Sequence, residues 1–200
     1  MLPLARPMSE GARGRDVPVD VTMRRRTLVG VPAMPQVGEA LEVRRARVED
    51  ARALASLLGS AFTDETWDAS GVERELLRDP TVRAVLVVAA GRRLASTASL
   101  QVRPESPGSG WVRWVATDPS LRRKGLARAV VLGVLELAAQ AGCMDAYLET
   151  RTDRLAAIAL YMQLGFEPLV AEDWEGDSGV SASRVVPREV WTRVMGALHS

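Results

Sequence analysis

The stretch from Asp118 to Arg128, DPSLRRKGLAR, contains the residues of this chain best suited to holding an anion. Its basic residues, Arg122 to Lys124, come just before Gly125. An apolar, β-prone run (Trp111 to Thr117) precedes the stretch, and a helical run (Leu126 to Ala141) follows it. Because the first turn of a helix has free N–H groups and the positive end of the helix dipole, this order of elements favours a phosphate-like anion. A solvated basic turn is the structural alternative.

A second motif lies further along the chain, in the sequence AAIALYMQLGF. It contains Ala157, Leu160, Tyr161, Gly165 and Phe166 at the spacing Ala-x-x-Leu-Tyr-x-x-x-Gly-Phe. The first motif has the spacing Arg-x-x-Gly-x-Ala, formed by Arg122, Gly125 and Ala127, with Pro119 three residues before the arginine. With both motifs, in this order and with a strand-like run between them, the chain resembles the Gcn5-related N-acetyltransferase (GNAT) superfamily over about residues 41 to 170.

The resemblance implies an enzyme that moves acetyl from acetyl-CoA to a primary amine by direct attack. The pyrophosphate of the coenzyme would lie on backbone N–H groups of the basic loop, and its pantetheine arm would pair with the preceding strand. The cofactor contacts expected from the resemblance are Val115, Ala116, Thr117, Arg122, Arg123, Lys124, Gly125, Leu126, Ala127 and Arg128. A backbone N–H of that strand would polarise the thioester oxygen.

Two residues are candidates for proton transfer. Tyr161 is the expected general acid, since the tyrosine pKa of about 10 lies near the value of about 8.5 for a leaving thiolate. The alternative is that its ring only packs beneath the cofactor. Glu149 is the candidate general base, and a water relay is an equal alternative. Arg154 stands where the family often has an asparagine, and since arginine cannot accept a hydrogen bond, that contact is lost or passes to Thr150 or Thr152.

Missing residue types exclude several other chemistries. The only histidine is His199, which leaves no Ser-His or Cys-His catalytic arrangement. The single cysteine, Cys143, rules out an internal disulfide framework and fits a reducing cytoplasm, and without a His and Cys cluster we expect no metal. Net charge is +1, and no apolar run approaches the roughly 20 residues of a membrane span. We therefore expect a cytoplasmic enzyme with no membrane partner, find no overall charge that favours nucleic acid, and leave a homodimer open.

The N-terminal part of the chain differs in composition from the rest. Residues 1–40 contain five prolines, scattered glycine and arginine, and no sustained periodicity, which predicts a disordered or poorly ordered arm. The run Arg24 to Arg26 within it could contact nucleic acid or an acidic partner, although a charge run in a loose tail is more often solvated. The acetyltransferase domain is accordingly expected over residues 41–200.

The resemblance implies an α+β fold, a three-layer sandwich in which a mixed, mostly antiparallel sheet is flanked by helices and splayed at its central strands. The residue patterns predict strands near 41–47, 82–89, 94–102, 111–117, 145–150 and 166–170, and helices near 48–62, 70–78, 126–141 and 155–164. Residues 187–198 are predicted to form a C-terminal helix. The last strand that the family usually has is expected to be degraded or very short.

Two acidic segments, each with one tryptophan, are the candidates for acceptor recognition. They run from Asp64 to Asp68 and from Glu172 to Asp177, and the predicted substrate residues are Trp67, Asp68 and Trp174. Carboxylates and a tryptophan face together favour a small cationic amine as the acceptor. Three alternatives stay open: two merely polar loops, a non-catalytic domain that senses acetyl-CoA, and a peptide or protein N-acetyltransferase.

Overall fold

The structure is a computed structural model that describes residues 17–176 and 179–199. Its strands in these ranges are β1 (Asp20–Arg25), β2 (Glu42–Arg45), β3 (Val82–Ala90), β4 (Arg93–Val102), β5 (Ser109–Thr117), β6 (Asp145–Arg151) and β7 (Glu167–Pro168). Its α-helices are α1 (Ala51–Ala61), α2 (Ala69–Val72), α3 (Leu126–Gln140), α4 (Leu155–Gln163) and α5 (Arg188–Leu198).

The strands of the described ranges form one sheet in the order β2-β3-β4-β5-β6-β1-β7. Neighbouring strands are antiparallel except for β5 and β6, which are parallel. Alternate residues of β3 show why helices cover both faces: Leu86 and Val88 pack with α3, whereas Val85 and Val87 pack with α1 and α2. The mixed, mostly antiparallel sandwich expected from the sequence is therefore confirmed. No helix of the described ranges is long and apolar enough to cross a membrane.

Strand β1 lies inside the sheet. It pairs with β6 over six residues, from Asp20 opposite Arg151 to Arg25 opposite Ala146, and its other edge pairs with β7. Val21 and Met23 on β1 have no exposed surface. The prediction of a poorly ordered arm over residues 1–40 is therefore wrong for this segment, and the folded domain begins before residue 41. Residues 1–16 of the predicted arm lie outside the described residues.

The three arginines from Arg24 to Arg26 are engaged within the fold. Arg24 forms an ion pair with Asp145 at 2.7 Å, and Arg26 forms one with Glu167 at 3.0 Å. Arg25 donates a hydrogen bond to the carbonyl of Leu164. These partners on β6, on β7 and at the end of α4 give the arginine run a structural function, which the sequence alone did not indicate.

The end of the chain forms a helix without a preceding sheet strand. Of residues 185–186, only Val186 makes a β-bridge, with Val170, so the expected last strand is reduced to a single contact. The position beside β7 is occupied by β1. Helix α5 agrees with the helix predicted over 187–198, and Trp191 and Val194 are its buried anchors.

The buried position of β1 predicts a measurable contribution to stability. We expect Met23→Ala to lower the free energy of unfolding by about 2–4 kcal/mol, because it removes a fully buried side chain and leaves a cavity. Met144→Ala is the matched control, since that side chain is 75% exposed and its loss should change the value by no more than about 0.5 kcal/mol. Urea unfolding of both variants measures the difference. Equal values for the two variants would contradict the placement of β1 in the sheet.

Candidate functional site

The strands β5 and β6 separate halfway along their length. Their parallel pairing ends at Val112 and Leu148. Beyond this point β5 bulges against β4, where the register shifts between Thr97 and Ser99, and Trp114 takes a left-handed φ of 53°. A bulge bends its strand away from the neighbour, so the edge of residues 113–117 that faces β6 has no partner strand in the sheet. The backbone groups on this edge line a cleft.

The connection from β5 to α3 turns through two residues with left-handed backbone. These are Arg123, with φ of 61°, and Gly125, with φ of 75°. The first hydrogen bond that α3 forms with this turn runs from the N–H of Ala129 to the carbonyl of Gly125 at 3.0 Å. The N–H groups of residues 126–128 therefore have no partner within the helix, and an anion can accept hydrogen bonds from them.

Asp118 fixes the start of this connection. Its carboxylate accepts hydrogen bonds from the hydroxyl of Ser120 at 2.6 Å, from the backbone N–H of Ser120 at 2.9 Å, and from Nε of Arg93 at 3.1 Å. These bonds, those from Ser120 first, lower the pKa of Asp118 to about 2. The carboxylate is therefore ionised at neutral pH, and it ties the basic loop to the β3–β4 hairpin.

Two neighbouring cavities open along the cleft. The first, which we call the loop cavity, has a volume of about 610 Å³ and lies against the β5–α3 connection. The second, which we call the strand cavity, has a volume of about 190 Å³ and lies between the separated ends of β5 and β6. Both cavities are lined by Phe62, Val115, Arg154, Ala157 and Tyr161. A group that spans the two cavities would thus pass Tyr161.

Most of the expected cofactor contacts come together at the loop cavity. Those that line it are Val115, Ala116, Thr117, Arg122, Arg123, Gly125, Leu126, Ala127 and Arg128. Lys124 lies on the same loop but is not part of the lining. Arg154 lines both cavities, so the position where the family often has an asparagine faces the cleft with a cation. Of its two suggested substitutes, Thr150 lines the strand cavity, whereas Thr152 accepts a hydrogen bond from the N–H of Val19 at 3.1 Å.

Tyr161 is buried on α4, and its ring packs edge-on against Phe166 with centroids 6.1 Å apart. Its hydroxyl forms no hydrogen bond with residues that the structure describes. Burial raises the pKa of Tyr161 to about 12, and the charge of Arg154 acts in the opposite direction. The near match with the pKa of a thiolate, expected from the sequence, is therefore absent. The hydroxyl stays protonated and can donate a hydrogen bond to an atom in either cavity.

Glu149 lines the strand cavity, with its side chain only 14% exposed. It forms an ion pair with Arg184, whose guanidinium also approaches Asp20 on β1 at 3.8 Å. The candidate base Glu149 therefore lies at the strand cavity, but its carboxylate is paired with the guanidinium of Arg184. Neither Arg184 nor Asp20 could be found from the sequence, because each becomes a neighbour of Glu149 only when distant segments pack together.

Two further lining residues were not predicted. Glu65 belongs to the first acidic segment, but composition did not single it out from its neighbours. Burial and, secondly, the charge of Asp64 raise the pKa of Glu65. Arg113 lies on β5 with its guanidinium 5.2 Å from the centre of the Trp114 ring. The only sequence feature that pointed to Arg113 was its position in the predicted strand 111–117, which precedes the basic loop.

The three predicted substrate residues do not meet at the strand cavity. Asp68 caps α2 by accepting a hydrogen bond from the N–H of Gly71 at 2.6 Å, and Trp67 packs edge-on against Trp114 with centroids 4.6 Å apart. Both line a separate cavity of about 180 Å³. Trp174 is absent from the lining of the strand cavity and packs against the buried cluster that contains Trp111. Within the described ranges, no cluster of His, Cys, Asp and Glu side chains could hold a metal.

Comparisons with known proteins identify the fold and the family. A protein of Mycobacterium leprae without a described function is 32% identical over 111 residues, which cover 52% of this chain and 28% of that protein. The N-alpha-acetyltransferase RimI of Mycobacterium tuberculosis is 29% identical over 119 residues, which cover 59% of this chain and 73% of RimI. A crystal structure of a GNAT-family protein from Novosphingobium aromaticivorans has a TM-score of 0.58 at 24% identity, and the match covers 76% of this chain and 61% of that one.

The matches to the Mycobacterium leprae protein and to the solved structure cover less than two thirds of those proteins, so this chain corresponds to only a part of each. The solved structure, at this low identity, supports the fold alone. The model of the acetyltransferase (GNAT) family matches residues 49–166, more than half of the chain and a range that contains both cavity-lining motifs. The chain therefore belongs to the GNAT family of acetyltransferases.

Proposed function

We propose that this protein transfers the acetyl group of acetyl-CoA to a primary amine, which attacks the thioester directly. The observation that supports this most is the common wall of the two cavities at Tyr161. An anion-binding loop on one side and a cleft with carboxylates on the other give separate places to a phosphorylated donor and an amine. The thioester would then lie where the cavities meet, at the end of β5.

Acetyl-CoA would bind along the loop cavity. The unpaired N–H groups of residues 126–128 would hold the pyrophosphate, and the guanidinium groups of Arg122 and Arg123 would add attraction to the phosphates. Lys124 would act only at longer range. The unpaired edge of residues 113–117 would form hydrogen bonds with the pantetheine amides, and one N–H of this edge would polarise the carbonyl oxygen.

The transfer then needs one bond formed and one broken. The neutral amine nitrogen attacks the carbonyl carbon, and the carbon–sulfur bond breaks as the carbonyl re-forms. Tyr161 stabilises the departing sulfur by donating a hydrogen bond and supplies a proton as the bond breaks. The proton that the amine loses passes to water or to Glu149, which Arg184 holds beside the cavity.

Two candidates for the acceptor amine follow from the observations. The small cationic amine favoured by the acidic segments is supported by Glu65 and Glu149 in the strand cavity, but not by Trp67, Asp68 or Trp174. A protein N-terminus is the second candidate, because the similar protein RimI is named an N-alpha-acetyltransferase. Release of free thiol from acetyl-CoA, measured with polyamines, aminoglycosides, lysine and short peptides, tests the proposal. If no amine releases thiol although acetyl-CoA binds, the protein is a non-catalytic sensor and the proposal is wrong.

The role of Tyr161 can be tested with a matched pair of variants. We expect Tyr161→Phe to lower kcat by about a hundredfold or more, because general-acid catalysis contributes on that order, while acetyl-CoA binding stays within about twofold. Tyr147→Phe is the control: the other tyrosine lies outside both cavities, with its hydroxyl 3.4 Å from Asp145. Steady-state kinetics and calorimetric binding provide both readouts. An unchanged kcat in Tyr161→Phe would show that the ring only packs beneath the cofactor.

The raised pKa of Tyr161 predicts the shape of the alkaline pH profile. The acid form is active, and its population falls only as the pH rises through about 12. With the acceptor saturating, kcat should therefore show no alkaline fall between pH 8 and pH 10, where a tyrosine with an ordinary pKa of about 10 would become half ionised. An alkaline fall of kcat centred near pH 9 that disappears in Tyr161→Phe would assign this fall to Tyr161 and contradict its raised pKa.

The basic loop can be tested through its glycine. A Cβ at Gly125 would meet no other atom within 4 Å, but its φ of 75° is unfavourable for alanine, so Gly125→Ala should displace the loop. We expect the KM for acetyl-CoA to rise at least tenfold. Gly91→Ala is the matched control, since Gly91 has a φ of 61° and equal space but lies in the β3–β4 turn. If both variants change only stability, the loop does not hold the donor.

A further inference from the structure

Charged side chains dominate the strand cavity. Three carboxylates and four guanidinium groups contribute to its lining: Asp20, Glu65, Glu149, Arg113, Arg151, Arg154 and Arg184. A cavity built only for a cationic amine would not need an excess of arginine. The question is therefore which of these charges are already neutralised within the protein and which are left for a ligand.

Four of the seven charges are paired. Arg184 holds Glu149 and lies 3.8 Å from Asp20. Arg151 forms ion pairs with Asp64 and with Asp153, each at 3.0 Å. These contacts account for two carboxylates and two guanidinium groups of the cavity wall, and they leave the charges of Glu65, Arg113 and Arg154.

The side chains of these three residues form neither an ion pair nor a hydrogen bond with any residue in the described ranges. Both arginines lie over aromatic rings instead: Arg113 is 5.2 Å from the ring centre of Trp114, and Arg154 is 4.9 Å from that of Phe62. A guanidinium held over a ring keeps its in-plane N–H groups available to an anion. The charges of Arg154 and Arg113 both act on Glu65 to lower its pKa, against burial, so the three groups lie within each other's field.

Arg113 is the more informative of the two cations. Arg154 lines both cavities and can therefore also face the phosphates of the donor. Arg113 lines the strand cavity alone. Its charge is consequently not explained by donor binding, and it stands near a carboxylate without reaching ion-pair distance.

We propose that the acceptor amine carries an anionic group, a carboxylate or a phosphate, and that Arg113 binds this group while Glu65 faces the amine. This inference rests on the proposed function, and it narrows the acceptor to molecules with both charges. Arg154 adds positive potential at the boundary with the loop cavity. Binding of such a ligand would give each unpaired charge of the wall a partner of opposite sign.

The test uses amines of equal length that differ in one end group: butylamine, putrescine and 4-aminobutyrate. Ethanolamine and phosphoethanolamine form a second pair that separates phosphate from carboxylate recognition. Binding to the protein saturated with CoA is measured by calorimetry, and thiol release from acetyl-CoA is measured in parallel. We expect at least one anionic amine to bind about tenfold or more tightly than its neutral and cationic counterparts, because charge-assisted hydrogen bonds contribute on that order. Its kcat/KM should be higher by a similar factor.

Variants then assign the preference to a residue. Arg113→Gln should reduce the preference for the anionic amine roughly tenfold, with the KM for acetyl-CoA changed less than threefold. Arg151→Gln removes the same charge from the same wall, but from a paired arginine, so the preference should remain. Equal binding of all end groups, or equal preference in Arg113→Gln and the wild type, would overturn the inference.

The two readouts separate this inference from the proposed function. If anionic amines bind the CoA complex selectively but no amine releases thiol, the proposed transfer fails and the anion site stands. If neutral or cationic amines are acetylated and anionic ones are rejected, the transfer stands and the anion site is wrong.

Discussion

The separation of β5 from β6 is the constraint on which the site depends. A sheet that continued its parallel pairing beyond Val112 and Leu148 would satisfy all of its backbone groups and leave no cleft. The bulge at Trp114 leaves the edge of residues 113–117 without a partner strand, and unpaired buried backbone groups are costly. An extended ligand with amide groups can satisfy them as a strand would. The same irregularity that weakens the sheet therefore creates the cleft along which the loop cavity and the strand cavity open.

A strand that leaves one neighbour has to be held by the other, and β1 serves this purpose. It pairs with β6 along the whole of the separated half, from Leu148 to Arg151, and packs Val21 and Met23 into the core beneath it. Asp20, at the start of β1, reaches Arg184 and so contributes to the position of Glu149. The N-terminal segment thus supports the geometry of the strand cavity as well as the stability of the sheet.

The features that could be predicted from the sequence are those formed by residues close together in the chain. The loop of Arg122 and Gly125 and the helix of Tyr161 were found because their residues act through short, fixed spacings, and the structure brings most of them to one cavity. Strand β1 was missed although Val19, Val21 and Met23 alternate with polar residues, because prolines and arginines obscured the period of two and its partner lies far along the chain. Composition has a related limit for the acidic segments: it counts carboxylates but cannot show that Asp68 caps a helix.

Burial makes the hydroxyl of Tyr161 a weaker acid than an ordinary tyrosine. Burial raises the pKa of its hydroxyl to about 12, which makes it a weaker acid than a thiol with the ordinary value of about 8.5, so full proton transfer to a free thiolate in solution would be unfavourable. In the proposed mechanism its contribution is therefore greatest while the carbon–sulfur bond is breaking, when a hydrogen bond would stabilise the growing charge on sulfur. In the proposed reaction the amine must be neutral to attack, so its own protonation limits the rate at low pH. Glu149 is already paired with Arg184, so in the proposed arrangement Glu65 is the carboxylate that attracts the ammonium form. Binding of a separate anionic group by Arg113 would make the acceptor less dependent on that attraction.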